Sequence, residues 1–146
     1  MTWLYNGSPF TNDMSQGYVG FVYLITDLTN NMRYVGRKVF NNKKAKPPLK
    51  GKTKRRISIV DSNWESYFGS GPEIKAAVTE KGEASFKREI LHLCHGKAEM
   101  GYIESREIFV RDAILRDDYY NSWVSARVNR NQLGKYIAEQ KAAGCL

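Results

Sequence analysis

Apolar positions crowd residues 17–25, Gly-Tyr-Val-Gly-Phe-Val-Tyr-Leu-Ile. On an extended chain Val19, Phe21, Tyr23 and Ile25 share one face, and Tyr18, Val22 and Leu24 the other. Apolar groups on both faces predict a central strand covered on both sides. Thr26-Asp27-Leu28-Thr29-Asn30-Asn31 predicts a turn, because Asp and Asn bond their own backbone and tolerate left-handed conformations. A second strand at about residues 32–40 completes a hairpin. Pro72 stands behind Gly69-Ser70-Gly71, Ile74, Ala77 and Val78 follow at helical spacing, and Gly82 interrupts, so a helix is expected between Pro72 and Gly82. Residues 85–93, with Phe86, Ile90, Leu91 and Leu93, predict a third strand. Residues 97–117 predict the longest helix, and 125–141 a further helical segment weakened by Gly134.

The order β-β-α-β-α-α predicts an α/β domain of the α+β type, a small central three-stranded antiparallel sheet flanked by helices. Residues 1–16 are expected to form an irregular arm pinning Trp3, Tyr5 and Phe10 onto the domain at 17–122. Residues 41–61, with Pro47-Pro48, Gly51 and no helical period, predict a mobile loop, and 123–146 a helical extension. The length suits one domain with its own core. Cys94 and Cys145 make no disulfide framework and fit a reducing cytosol. The first residues lack the basic start and apolar run of a signal peptide, and no stretch approaches a membrane span, so a soluble, cytoplasmic protein is expected.

Charge changes the picture. The formal net charge is +8, yet ten basic residues and no acid lie between Arg37 and Arg56. They are Arg37, Lys38, Lys43, Lys44, Lys46, Lys50, Lys52, Lys54, Arg55 and Arg56. The remainder is slightly acidic. So focused an excess argues against a uniformly basic chain and for one polyanion contact, most commonly nucleic acid.

Tyr23 and Tyr34 face each other across the hairpin if its turn is centred between Leu28 and Thr29. Half a residue of slip would pair Tyr23 with Val35 instead. Such a pair can serve packing alone. Gly36 is unusual inside a strand and suggests a bulge or a close approach. On the long helix, Met100, Ile103, Ile108, Val110, Ile114 and Leu115 form an apolar stripe that also holds Glu104, Glu107 and Arg111. Carboxylates there need a partner or a metal, and Arg111 could supply the partner. Hard cations such as magnesium favour carboxylate oxygens. His92, Cys94 and His95 invite zinc, but no second ligand pair stands at finger spacing, so a cluster serving core or surface is favoured. Gly69-Ser70-Gly71-Pro72 matches no phosphate-loop fingerprint and reads as capping; Trp64 and Tyr67 read as core, with base stacking the alternative.

Gly20-Phe21-Val22-Tyr23 followed by Tyr34-Val35-Gly36 resembles the GIY-YIG nuclease signature. A Ser/Gly-led helix, a strand, a glutamate-bearing helix and Tyr120-Asn121 follow in the family's order. The arrangement looks especially like small stand-alone bacteriophage members, which would place it in the host cytoplasm. The resemblance implies a DNA endonuclease that uses Mg2+ (or Mn2+) to hydrolyse phosphodiester bonds, in a homing or a phage-defence or competition role. Tyr23 or Tyr34 would deprotonate or orient water, Glu104 (Glu107 second) would hold the metal, and Asn121 would brace the glutamate or nearby backbone. The family's usual helix arginine is replaced by Asn63, so Arg37 and Lys38 are expected to meet the phosphate. The basic stretch would bind DNA through its phosphates. Some 25 residues follow Asn121, too few for a separate DNA-reading domain, so specificity would come from loops, from Arg127, Arg130 and Lys135, or from dimerisation, the chain acting as a monomer or a homodimer on DNA; a structure-selective or low-specificity nuclease is the alternative. The competing expectations are a catalytically impaired nucleic-acid-binding module and a restriction-type endonuclease.

Overall fold

The computed structural model describes residues 2–127 and 129–146. Its strands are β1 (Trp3–Tyr5), β2 (Ser8–Pro9), β3 (Gly20–Asp27), β4 (Arg33–Val39), β5 (Asn41–Lys46), β6 (Arg56–Asp61) and β7 (Phe86–Cys94). Its helices are α1 (Pro72–Lys81), between β6 and β7, then α2 (Lys97–Val110) and α3 (Gly134–Ala142). Five strands form one sheet in the order β2-β1-β7-β3-β4, and β5 and β6 form a second, separate sheet. The three-stranded antiparallel sheet expected from the sequence is therefore too small, and the order β-β-α-β-α-α too short.

Two features account for the difference. Residues 2–16 are not wholly irregular: β1 runs parallel to β7, pairing Leu4 with Glu89, and turns back into β2. Asn6 (φ 51) and Gly7 (φ 81) take the left-handed conformations that a two-residue hairpin turn requires. The second feature is that residues 41–61 are no loop. Lys43 lies across from Ile59, Lys44 from Ser58 and Ala45 from Ile57 in an antiparallel ribbon.

β3 lies inside the sheet, and both its faces are covered, as its pattern predicts. Phe21, Tyr23 and Ile25 join Trp3, Phe10, Phe40, Trp64, Ile74 and Phe86 on the α1 side. Val22 and Leu24 join Val35, Met100, Ile103 and Ile108 on the α2 side. The buried Arg88 stacks on Trp3 and Phe68 and donates to the Glu65 and Tyr67 carbonyls, tying residues 64–68 to the sheet.

α2 stops at Val110, seven residues before the expected end. Asp112 turns left-handed at φ 52, its N–H bonds the Phe109 carbonyl, and the Ala113 N–H bonds the Ile108 carbonyl. This is a Schellman stop, with Ala113 and Ile108 making the buried apolar contact that accompanies it. Val110 and Leu115, assigned to the buried stripe by periodicity, are consequently exposed. Gly134 opens α3 rather than weakening its middle, behind a short 3-10 turn at Arg130–Leu133 capped by the Asn129 side chain. Residues 125–127 carry no helix. Among the described residues no helix is long and apolar enough to cross a membrane.

Candidate active site

The hairpin turn sets the site's register. The Asp27 N–H bonds the Met32 carbonyl, the Asn31 N–H bonds the Asp27 carbonyl, and Asn31 is left-handed at φ 59. The Asp27 carboxylate accepts from Thr29, from Lys81 at 2.5 Å and from the Tyr120 hydroxyl at 2.7 Å. Burial alone would raise the Asp27 pKa, but Lys81, Thr29 and Tyr120 outweigh it and hold it far below the usual carboxylate range. The clasp centres the turn one residue later than expected, so Tyr23 pairs with Gly36, and Tyr34 with Ile25. Tyr23 and Tyr34 are thus diagonal rather than facing. A whole-residue displacement preserves the side of each chain, so they remain on one face with ring centroids 6.3 Å apart.

Gly36 is explained by this register. A Cβ there would stand 2.5 Å from Tyr23 Cζ, so only glycine admits the ring beneath β4. Tyr23 is fully buried, and its hydroxyl has no hydrogen-bond partner of proper geometry among the described residues. Burial pushes its pKa well above the ordinary value. Tyr34 is half-buried, with its hydroxyl beside Gly71, which caps α1. Burial raises its pKa too, against the opposing pull of Ser70 and the Gly71 backbone. Both tyrosines are neutral phenols near pH 7.

β4 is an edge strand, and residues 118–121 cover that edge. The Arg33 N–H bonds the Asp118 carbonyl and the Tyr120 N–H bonds the Arg33 carbonyl. Asn121 then mimics a peptide: its Oδ1 accepts from the Val35 N–H and its Nδ2 donates to the Val35 carbonyl, each at 2.9 Å. An otherwise open strand edge is closed by one side chain.

Beside this edge lies a cavity of about 220 Å³, lined among others by Tyr34, Arg37, Glu104, Tyr120, Asn121 and Trp123. Arg37 Nε stands 3.9 Å from Glu104 Oε2. Gly101 on α2 makes this possible, since a Cβ there would meet the Arg37 guanidinium at 2.7 Å. Burial raises the Glu104 pKa and Arg37 opposes the rise. No hydrogen bond reaches the Glu104 carboxylate among the described residues, leaving its oxygens available to a cation.

Other expected residues lie elsewhere. Tyr23 sits beneath the sheet surface rather than in the cavity wall. Lys38, one residue from Arg37 and hence on the other face of β4, places its ammonium 4.2 Å above the Tyr67 ring, and burial lowers its pKa. Glu107 bonds Arg111 at 3.0 Å, the ordinary i+4 pairing. Lys43, Lys44, Lys46 and Arg56 are exposed on the ribbon of β5 and β6, and Lys50, Lys52, Lys54 and Arg55 on the segment joining them. Arg127, Arg130 and Lys135 are exposed. Trp123, 69% exposed at the cavity mouth, was not singled out from the sequence. Its only signal is a large aromatic residue beside polar Asn121 and Ser122.

A second cluster occupies the start of α2. The His92, Cys94 and Glu99 ligand atoms lie within 4.8 Å of one another, as do those of His95, Glu99 and Glu139. His92 Nε2 is 3.3 Å from Glu99 Oε1, and Glu99 Oε2 accepts from the His95 N–H at 2.5 Å. This group can coordinate a divalent metal. Burial holds the Cys94 thiol protonated, however, so the histidine and carboxylate atoms are its more available donors.

The model described as "Putative endonuclease segE, GIY-YIG domain" matches residues 3–124, and the chain belongs to the GIY-YIG nuclease family. It is similar to "Putative endonuclease segD" of Enterobacteria phage T4, 27% identical over 108 residues, covering 74% of this chain and 39% of that protein. It is also similar to "Putative endonuclease segE" of the same phage, 31% identical over 101 residues, covering 69% and 39%. The matched region thus spans well under half the length of these relatives. No solved structure matches.

Proposed function

We propose that the chain is a divalent-metal-dependent DNA endonuclease whose reaction takes place in the cavity between β4 and α2. The observation that carries this reading is the convergence of Tyr34, Arg37, Glu104 and Asn121 on that cavity in a GIY-YIG chain. Hard carboxylate oxygens, free of hydrogen-bond donors and beside open space, suit magnesium, which takes one or two carboxylates and keeps waters and phosphate as further ligands. Glu104 is the residue that would hold it. When bound, the metal neutralises charge on the phosphate and stabilises the departing oxygen.

The chain's own groups do the rest. Arg37 presents a guanidinium at the cavity for the non-bridging phosphate oxygens. Lys38, on the opposite face, serves packing on Tyr67 instead. Because burial keeps Tyr34 protonated, it orients the attacking water by hydrogen bonding rather than removing a proton as phenolate. Tyr23 acts one layer deeper, supporting Tyr34 and β4. Asn121 holds the edge of β4 in place and so fixes Arg37 against Glu104. The exposed lysines and arginines of residues 43–56 supply phosphate contacts without base readout.

Supercoiled plasmid incubated with the protein in magnesium should be nicked or linearised, and EDTA should stop the reaction. Intact plasmid under magnesium and manganese alike, with DNA binding retained, would refute catalysis and leave a binding module.

A further inference from the structure

Residues 57–60, Ile-Ser-Ile-Val, alternate as a strand does, yet among the described residues the ribbon they help form has no third strand beside it. The register places Ile57 opposite Ala45 and Ile59 opposite Lys43, so these side chains share one face. Lys44, Lys46, Ser58 and Arg56 share the other. Ile57 is 70% exposed and Ile59 69%, an apolar pair on an element with almost no core of its own. Leu49, at the start of the turn closed by the Lys52 N–H on its carbonyl, is also exposed. The base, by contrast, is anchored. Phe40 is buried against Trp64 and Phe10, the Ser62 N–H bonds the Phe40 carbonyl, and the Ser62 hydroxyl bonds the Val39 carbonyl. The ribbon is therefore a rigidly rooted arm reaching about 20 Å, from six residues at some 3.3 Å each.

The charge around the isoleucines selects their partner. Residues 41–61 hold eight basic side chains and one acid, Asp61. A second copy would bring the same positive charge onto the same face. Ala45, Ile57 and Ile59 offer nothing to the donors and acceptors of base edges, and Lys43 beside them on that face suits a phosphate, so the face is no major-groove reader. Apolar side chains flanked by phosphate-binding cations are what wedge into the minor groove, part base steps and kink a duplex.

We propose that the arm of β5 and β6 deforms duplex DNA. Ile57 and Ile59 press into the minor groove while Lys43, on the same face, and Lys50 and Lys52, at the far end of the arm, engage the flanking phosphates. This rests on the reading of the chain as a DNA enzyme and adds bending to it.

The test uses the full chain in EDTA, which prevents cleavage, and a short duplex with donor and acceptor dyes at its ends. Binding should shorten the end-to-end distance. Ile57→Thr with Ile59→Thr, which keeps β-branched residues on the ribbon, should abolish the shortening and weaken binding about tenfold, with the salt slope unchanged. Ile57→Val with Ile59→Val should bend less than the native arm. Lys43→Ala with Lys52→Ala should flatten the slope of log affinity against log salt by about 2, at some 0.9 per phosphate contact. Native bending by the threonine variant would overturn the proposal, as would sedimentation showing a dimer that the threonine changes dissociate. Binding and metal-dependent cutting without any bend would sink the arm alone; failure to bind DNA at all would sink the enzyme reading with it.

Discussion

Gly36→Ala tests how the tyrosine pair is built into the fold. The added methyl would lie 2.5 Å from Tyr23 Cζ and 3.0 Å from Cε1, against roughly 3.5–4.0 Å for a comfortable carbon contact. Tyr23 has little room to retreat, being packed on Trp3 at 5.2 Å, Tyr67 at 5.9 Å and Phe21 at 6.0 Å between centroids. Overpacking of this kind costs about 1–3 kcal/mol, and the lower backbone entropy of alanine returns roughly 0.5–1 kcal/mol. With contacts this short the upper part of the overpacking cost, about 2–3 kcal/mol, applies, so the net loss is about 1–2 kcal/mol. With unfolding entropy near 2.1 cal/mol/K per residue, a chain this size should melt about 3–7 °C lower. Tyr23→Phe removes the hydroxyl nearest the new methyl and, with at most a weak contact to the Tyr67 hydroxyl to lose, should itself cost little. In that background Gly36→Ala should cost about 1 kcal/mol less, read from denaturant melts of all four proteins. If Gly36→Ala is neutral, or costs the same with and without the Tyr23 hydroxyl, the close approach is not what requires glycine.

Three further outcomes follow from the same geometry. Asp27→Asn should lose about 2 kcal/mol near neutral pH, where a charged hydrogen-bonded group is broken. The folded-state pKa of Asp27 is depressed, so its contribution is complete above the unfolded value of about 3.9 and fades as pH falls below it; the gap between native and variant melting temperatures should therefore narrow from pH 6 to pH 3. Asn121→Ala leaves both Val35 backbone groups unpaired, which should cost about 1–2 kcal/mol and speed hydrogen exchange at the Val35 amide; unchanged protection would show the edge closed by other means. Trp3 and Trp64 are buried, so Trp123 alone among the tryptophans should report DNA entering the cavity; quenching of its emission that survives Trp123→Phe would place the contact elsewhere.

The parts of the fold readable in the sequence were those with a long period: the hairpin of β3 and β4, α1 between Pro72 and Lys81, and β7. Three residues cannot show alternation, so β1 was hidden, although Asn6-Gly7 was a usable hairpin signal. In β5 the lysines obscured a pattern whose apolar half lies on β6, visible only once Ile57 and Ile59 are set opposite Ala45 and Lys43. The end of α2 depended on a left-handed Asp112, which no propensity announces in a non-glycine residue. In the site, the resemblance pointed to Arg37 and Lys38 together, whereas strand alternation sends them to opposite faces. Tyr23 and Tyr34 share a face, but the missing Cβ of Gly36 admits one beneath the strand and leaves the other beside the cavity. Depth of this kind is set by tertiary packing, not by spacing.

In the proposed reaction Glu104, rather than Glu107, serves metal-dependent cleavage. Glu107 is already committed to Arg111, while Glu104 lines the cavity with Arg37 as its ion-pair partner among the described residues. Plasmid cleavage in magnesium by Glu104→Gln and Glu107→Gln, both checked for native melting, measures this directly. Cutting should fall by a hundredfold or more in the first, at roughly 1.4 kcal/mol of barrier per tenfold, and stay near native in the second. Full cutting by Glu104→Gln would contradict this role.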